Sequence, residues 1–376
     1  MRPRPRLVVP SPISEMFCVR CHREYEQDAI FCAYDGERLV PERHIDFFRG
    51  KPTRQVGVIL GGRYAVRGYL GKGSMARVYL AEDAKKGEPV AVKVLDMHST
   101  RGIRAKERFV RESQAANRIG HPNIVKLLDH GQRSDGAPYI VMEYLHGESL
   151  GDLLRREQRL KEDMALPVLI QAASGLAAAH RVGIVHRDVK PDNLFLVGEP
   201  GDPYGVKILD FGLAKLSEES GFTASGVAVG TLEYMSPEQT VTDGSDHRSD
   251  VYALGVVMFR LFTGQLPFRA KVDTDLLAHQ LIVPMPAPST LDPDIDPRIE
   301  QVIMKATRKR PENRYPTMEE FHADLERLMG DRSGTLLAAL PLAHARDIYQ
   351  ARSAFAKHAA RFFYKKLSMD PPTWEG

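Results

Sequence analysis

The run HRDVKPDN at 186–193 places a carboxylate at Asp188, an ammonium two positions on at Lys190 and a carboxamide five positions on at Asn193. Further along, Asp210, Phe211 and Gly212 follow the apolar run VKIL. A carboxylate can take a proton from a hydroxyl, an ammonium can neutralise phosphate oxygens, and Asn and Asp oxygens suit Mg²⁺. Those are the parts that phosphoryl transfer needs. Upstream, GKGSMARVY at 71–79 offers glycines, Gly71 and Gly73, whose backbone amides can approach phosphate oxygens without an intervening Cβ. Lys93 lies inside VAVKVL, on the strand face of Ala91 and Leu95, with Val90, Val92 and Val94 opposite. A lysine between two apolar faces needs a partner or a ligand. Glu112 is a candidate partner, because its i−3, i+4 and i+7 neighbours are Phe109, Ala116 and Ile119. Each feature alone has an ordinary reading as a turn, a snorkelling lysine or a boundary glutamate. Their joint occurrence in this order does not.

These residues need a scaffold that alternates early and turns helical late. Residues 64–95 read as short strands, YAVRGYL, ARVYLAED and PVAVKVL, with turns at GKGS and KKGE. One helical segment over RGIRAKERFVRESQAANRI and strands near 125–129 and 138–143 complete a small sheet-rich part. Beyond 150 the pattern is mostly helical, and SDVYALGVVMFRLF at 249–262 is apolar nearly all round, as a buried central helix requires. Thr317 and Glu320 have the spacing of a capping box. HRDVKPDN then lies in a loop between a helix ending near His180 and the strand LFLV, and DFG follows a strand.

From about Tyr64 to Met329 the chain resembles the eukaryotic-like Ser/Thr protein kinases, especially their bacterial members. The resemblance implies an α+β fold with a β-rich N-lobe, a larger helical C-lobe, and transfer of the γ-phosphate of ATP to protein hydroxyls. Leu70, Gly71, Gly73 and Val78 match the loop and strand positions that cover ATP, and Ala91 the residue above the adenine. Lys93 matches the lysine on the α- and β-phosphates, and Glu112 its partner. YIVMEYL at 139–145 looks like the hinge, with Met142 as gatekeeper and Glu143 to Leu145 offering backbone bonds to adenine. Asp188 matches the catalytic base, Lys190 the phosphate-contacting lysine, and Asn193 and Asp210 the Mg²⁺ ligands. DVKPDN with Gly230 and Thr231 is the Ser/Thr rather than the Tyr pattern. SPE at 236–238 implies a Glu238–Arg314 pair, and Asp250 is expected to anchor the catalytic loop. Two positions depart from the pattern: Ala76 replaces the third loop glycine and Ser236 begins SPE. Neither removes a catalytic group. A scaffold that binds nucleotide without catalysis is the competing reading, and the presence of Lys93, Asp188, Asn193 and Asp210 argues against it.

Arg187 resembles the arginine that a phosphorylated activation loop neutralises. Thr223 and Ser225, in the 213–229 loop, are the expected autophosphorylation sites, ahead of Ser217, Ser220 and Thr231. At the N-terminal end, Cys18 and Cys21 form a C-x₂-C knuckle, and Cys32 with Asp35 repeats the spacing, as in a short zinc ribbon with Asp35, or else His22, as fourth Zn²⁺ ligand. This unit could alternatively be an interaction module that the kinase part regulates.

The organisation read from the sequence is therefore 1–15 disordered, 16–40 ribbon, 41–62 linker, 63–330 kinase domain and 331–376 helical extension. In that extension ARSAFAKHAARFFYKKL (351–367) sets Phe355, Ala359, Phe362 and Phe363 opposite Arg352, Lys357 and Lys365, fit for a membrane surface or for packing on protein. The 376 residues carry 52 basic and 49 acidic side chains, a net +3 that gives no case for nucleic acid. All cysteines precede residue 33, so a disulfide-stapled core is excluded, and the expectation is a cytoplasmic protein.

Overall fold

The computed structural model describes residues 16–17, 24–25, 33, 40–41, 57–73, 76–96, 118–198, 204–211, 232–240, 245–270 and 272–337. Two compact units divide the chain, Met1–Arg101 with Leu128–Tyr144 and Gly102–Leu127 with Leu145–Gly376.

In the first unit, β1 (Met16–Phe17) pairs antiparallel with both β2 (Glu24–Tyr25) and β3 (Val40–Pro41). A second sheet holds β4 (Ile59–Leu60), β5 (Tyr64–Lys72), β6 (Ala76–Asp83), β7 (Glu88–Leu95), β8 (Leu127–Gln132) and β9 (Pro138–Glu143), ordered β4-β5-β6-β7-β9-β8. Strand period sorts its side chains into two sets. Tyr64, Val66, Tyr79, Ala81, Val90, Val92, Val94, Tyr139 and Val141 bury together as one apolar cluster. The alternate residues face the other way. The predicted strand near 125–129 begins later, at Leu127, because Ile124 stands in an isolated bridge opposite Ile208, whose carbonyl accepts from the Val125 N–H and whose N–H donates to the Asn123 carbonyl.

Among its described residues the second unit packs six helices and a small sheet. They are α1 (Leu150–Glu157), α2 (Glu162–Arg181), α3 (Arg248–Thr263), α4 (Asp273–Ile282), α5 (Pro297–Ala306) and α6 (Met318–Leu337). α3 is buried almost throughout, as its all-round apolarity predicts, and the left-handed Gly264 (φ 73°) ends it. The Glu320 N–H donates to the Thr317 hydroxyl at the start of α6. β10 (Gly147–Ser149), β11 (Leu194–Val197) and β12 (Gly205–Ile208) form an antiparallel sheet. Its register pairs Leu194 with Ile208, which sets Asn193 beside Leu209. This hairpin is what brings HRDVKPDN together with Asp210 and Phe211.

Candidate active site

In the first unit the strand register gathers one set of predicted residues on one sheet face. Gly71 pairs with Val78, Val78 with Lys93, Lys93 with Ile140, and Ala91 with Met142. Directly opposed residues share a face, so Val78, Ala91, Lys93 and Met142 lie on the face away from the apolar cluster. A Cβ built on Gly71 meets nothing within 4 Å, so the strand backbone there borders open space. The Gly73 N–H donates to the Ala76 carbonyl at 2.8 Å, which closes the hairpin. Leu70 is exposed and Lys93 is buried. Glu112, the expected partner of Lys93, lies outside the described residues. Glu143 ends β9, and Leu145 begins the second unit's part of the chain.

In the second unit the catalytic-loop candidates are held from all sides. Lys190 Nζ lies 2.8 Å from Asp188 Oδ2 and donates to Oδ1 at 3.0 Å. Asn193 Nδ2 donates to Asp188 Oδ2 at 2.9 Å and to the Asp188 carbonyl at 2.8 Å. Both donors of that amide aim at Asp188, so its oxygen is the face offered to a ligand. His186 is fully buried, and its Nδ1 accepts from the Asp188 N–H at 3.2 Å. The proton is therefore on Nε2, which donates to the Leu209 carbonyl at 2.8 Å. The ring also packs on Phe211, with centroids 4.7 Å apart. One histidine thus ties Asp188 to the segment carrying Asp210.

Arg187 and Asp210 both have positive φ, 66° and 56°, which non-glycine residues hold only when neighbours enforce it. For Arg187 the enforcement is visible. Its N–H donates to Asp250 Oδ1 at 2.7 Å, and its carbonyl accepts from Gln239 Nε2 at 2.9 Å. Asp250 Oδ2 accepts from the His186 N–H and from His180 Nε2, both at 2.8 Å. Burial pushes the Asp250 carboxyl up, but these donors outweigh it and hold the group below its ordinary range. Asp250 does anchor the loop, as expected. The Arg187 Nε is buried and has no partner among the described residues.

Arg314 donates to Glu238 through both terminal nitrogens at 2.7 Å, and to the carbonyls of Arg308, Lys309 and Arg248. This is the pair expected from the SPE run. Sequence reasoning missed Gln239 as the clamp on Arg187 and His180 as the partner of Asp250. His180 stands at the end of a helix face and Gln239 directly after SPE, and neither carries a signal of its own. Cys18, Cys21, His22, Cys32, Asp35, Gly212, Ser217, Ser220, Thr223, Ser225, Thr231 and the 351–367 segment lie outside the described residues.

This geometry has counterparts. Residues 64–324 match the protein kinase domain family, and the chain belongs to it. Serine/threonine-protein kinase Pkn1 of Myxococcus xanthus is 44% identical over 273 residues, which cover 72% of this chain and 39% of that protein. Serine/threonine-protein kinase pkn3 of the same organism is 38% identical over 283 residues, covering 74% of this chain and 52% of its own length. The chain thus spans about half or less of these relatives. Among solved structures, the PknI kinase domain of Mycobacterium tuberculosis superposes with a TM-score of 0.58 at 28% identity, covering 73% of this chain and 99% of that one.

Proposed function

We propose that this chain is a Ser/Thr protein kinase that transfers the γ-phosphate of ATP to protein hydroxyls. The observation that carries it is Asp188, whose carboxylate is fixed by Lys190 and Asn193 while His186 ties its backbone to the Asp210 segment. Asp188 accepts the proton of the attacking hydroxyl, and Lys190 offsets charge on the transferred phosphoryl group. Asn193 and Asp210 present hard oxygen donors that would hold Mg²⁺, which would supply positive charge against the phosphates. Gly71, Gly73, Val78, Leu70 and Ala91 enclose the nucleotide, Lys93 takes its α- and β-phosphates with Glu112 as the partner of the lysine, and the backbone of Glu143 to Leu145 bonds the adenine. The kinase domain is 63–330, following a 41–62 linker, in a cytoplasmic protein. No helix among the described residues is long and apolar enough to cross a membrane.

Arg187 supports regulation by phosphate. Its buried Nε, without a partner among the described residues, is the kind of donor that a phosphorylated loop residue satisfies. After incubation with Mg²⁺-ATP, mass spectrometry is expected to find phosphate on Thr223 or Ser225. A Thr223→Ala, Ser225→Ala chain with full activity would remove the loop-activation reading.

The 16–40 segment is proposed as a zinc ribbon held by Cys18, Cys21, Cys32 and either Asp35 or His22. The antiparallel register Met16 to Tyr25 and Phe17 to Glu24 supports it by pairing the strands on either side of the first knuckle in sequence. Purified protein is expected to carry about one zinc per chain, and less than about half an equivalent excludes the site. This ribbon, or the 351–367 segment, is the proposed contact for a partner or membrane surface.

A further inference from the structure

Among the described residues β12 ends its sheet, with β11 on one side and no strand on the other. Tyr204, Val206 and Ile208 are buried, so the backbone groups on that open side must still be bonded. A side chain takes the place of the missing strand. Gln171, on α2, is only 5% exposed. Its Oε1 accepts from the Val206 N–H at 3.0 Å, and its Nε2 donates to the Tyr204 carbonyl at 2.9 Å. The same Oε1 accepts from Asn123 Nδ2 at 3.1 Å, and the Nε2 also donates to the Pro167 carbonyl at 3.2 Å. These partners fix the amide orientation, since a flipped amide would face an oxygen to two carbonyls. Asn123 continues the edge. Its Nδ2 donates to the Val206 carbonyl at 2.9 Å, and its carbonyl accepts from the Ile208 N–H at 2.8 Å.

With the Ile208 carbonyl accepting from the Val125 N–H at 3.1 Å, the open edge is bonded from the Tyr204 carbonyl to the end of the strand. Leu209 comes next, and its N–H donates to the Asn193 carbonyl at 2.8 Å while its own carbonyl accepts from His186. Asp210 follows directly, in left-handed backbone at φ 56°. Such a residue keeps its conformation only where the surrounding structure enforces it. Gln171 is the first hold on the strand that leads there. Gly175, one turn further along the same face of α2, supplies the room. A Cβ on Gly175 would stand 2.7 Å from Ile208 Cδ1 and 3.2 Å from Asn123 Cβ. An alanine there has to push Ile208 or Asn123 aside.

We infer that Gln171 is a positioning residue for Asp210, acting through β12, with Gly175 setting the distance between α2 and that strand. The inference rests on the kinase reading, in which Asp210 is a Mg²⁺ ligand. Gln171 acts on where the Asp210 oxygens stand and takes no part in the chemistry itself. A leucine would fill the same space, but it would leave the Val206 N–H and the Tyr204 carbonyl buried without partners. The edge must then move to find others, and Asp210 moves with it. Loss of a contact that orients a metal ligand typically costs about 10–100-fold in metal affinity.

The test titrates the non-hydrolysable analogue adenylyl imidodiphosphate calorimetrically at stepped free Mg²⁺ and in EDTA, and follows hydrogen exchange in the peptides covering 204–211. Gln171→Leu is expected to raise the Mg²⁺ concentration needed for half-maximal tightening about tenfold, with affinity in EDTA kept within about twofold. Exchange at 204–211 should accelerate. Gly175→Ala keeps every hydrogen-bonding group and should shift the Mg²⁺ requirement in the same direction by a smaller factor. Leu169→Ala is the control, a buried residue on the opposite side of α2. It should lower the melting temperature without moving the Mg²⁺ requirement. An unchanged requirement in Gln171→Leu, or in Gly175→Ala where the first variant does not fold, overturns the inference. So does an equal change in Leu169→Ala, which would make the effect one of general stability. A wild type that binds the analogue no tighter with Mg²⁺ than in EDTA brings down the kinase reading and the inference with it. A Mg²⁺-dependent wild type beside unaffected variants brings down the inference alone.

Discussion

Asp188→Asn is expected to cut phosphoryl transfer about 10²–10⁴-fold while leaving nucleotide binding nearly unchanged, the range typical of removing a general base. Asparagine retains the size of the side chain and an oxygen for the Lys190 and Asn193 donors, which reach the carboxylate at 2.8 and 2.9 Å. It cannot take up the hydroxyl proton. The loss should therefore fall on kcat, with the KM for ATP little altered. Radiolabelled transfer to casein measures the first quantity, and calorimetric titration with ATP the second. Transfer within tenfold of wild type would show that Asp188 is not the base. A loss of ATP binding together with transfer would mean that the substitution had disturbed the loop, which the bonds from His186 and Asp250 argue against.

The second large effect concerns stability. Arg314→Met is expected to destabilise the chain by about 3–5 kcal/mol, because Glu238 would be left partly buried without its cation. The Arg314 side chain is fully buried, pairs with Glu238 through both terminal nitrogens, and also serves the carbonyls of Arg308, Lys309 and Arg248. At about 2–4 °C per kcal/mol, the melting temperature should fall on the order of 10 °C. Arg314→Lys should lose part of this, since an ammonium keeps the charge but not the two-pronged geometry.

The pH dependence has a definite sign. Burial pushes the Glu238 carboxyl up, but hydrogen bonds and charge from Arg314 outweigh this and leave it below the ordinary glutamate range. A depressed carboxylate stabilises the fold above its unfolded pKa, and that contribution fades as pH falls through the folded value. The gap between wild type and Arg314→Met should consequently be full at neutral pH and narrow below about pH 4.3, the ordinary glutamate value. A gap independent of pH would mean that the loss comes from packing and from the backbone carbonyls alone.

Much of this was legible along the chain because the information was local. Alternation fixed β5, β6 and β7, and therefore put Val78, Ala91 and Lys93 on a common face once the strands paired. The unbroken apolarity of 249–262 identified α3 as a central helix, since no amphipathic face remained for water. HRDVKPDN and DFG were recognisable because a base, a cation and metal-binding oxygens must keep short spacings within one loop.

Other features were decided only by folding. Gln171 and Val206 are 35 positions apart, and His180 and Asp250 are 70 apart. A glutamine in a helix or a histidine at a helix end carries no local mark of its partner. Each becomes necessary when packing removes water from a carbonyl or a carboxylate that must still be bonded. The left-handed Arg187 belongs to the same class, because its strain is tolerated only where Asp250 and Gln239 hold both sides of its backbone. Sequence alone determined which groups could do chemistry. The tertiary structure decided which groups hold them still, because satisfying buried polar atoms is a property of the packed interior and not of the chain.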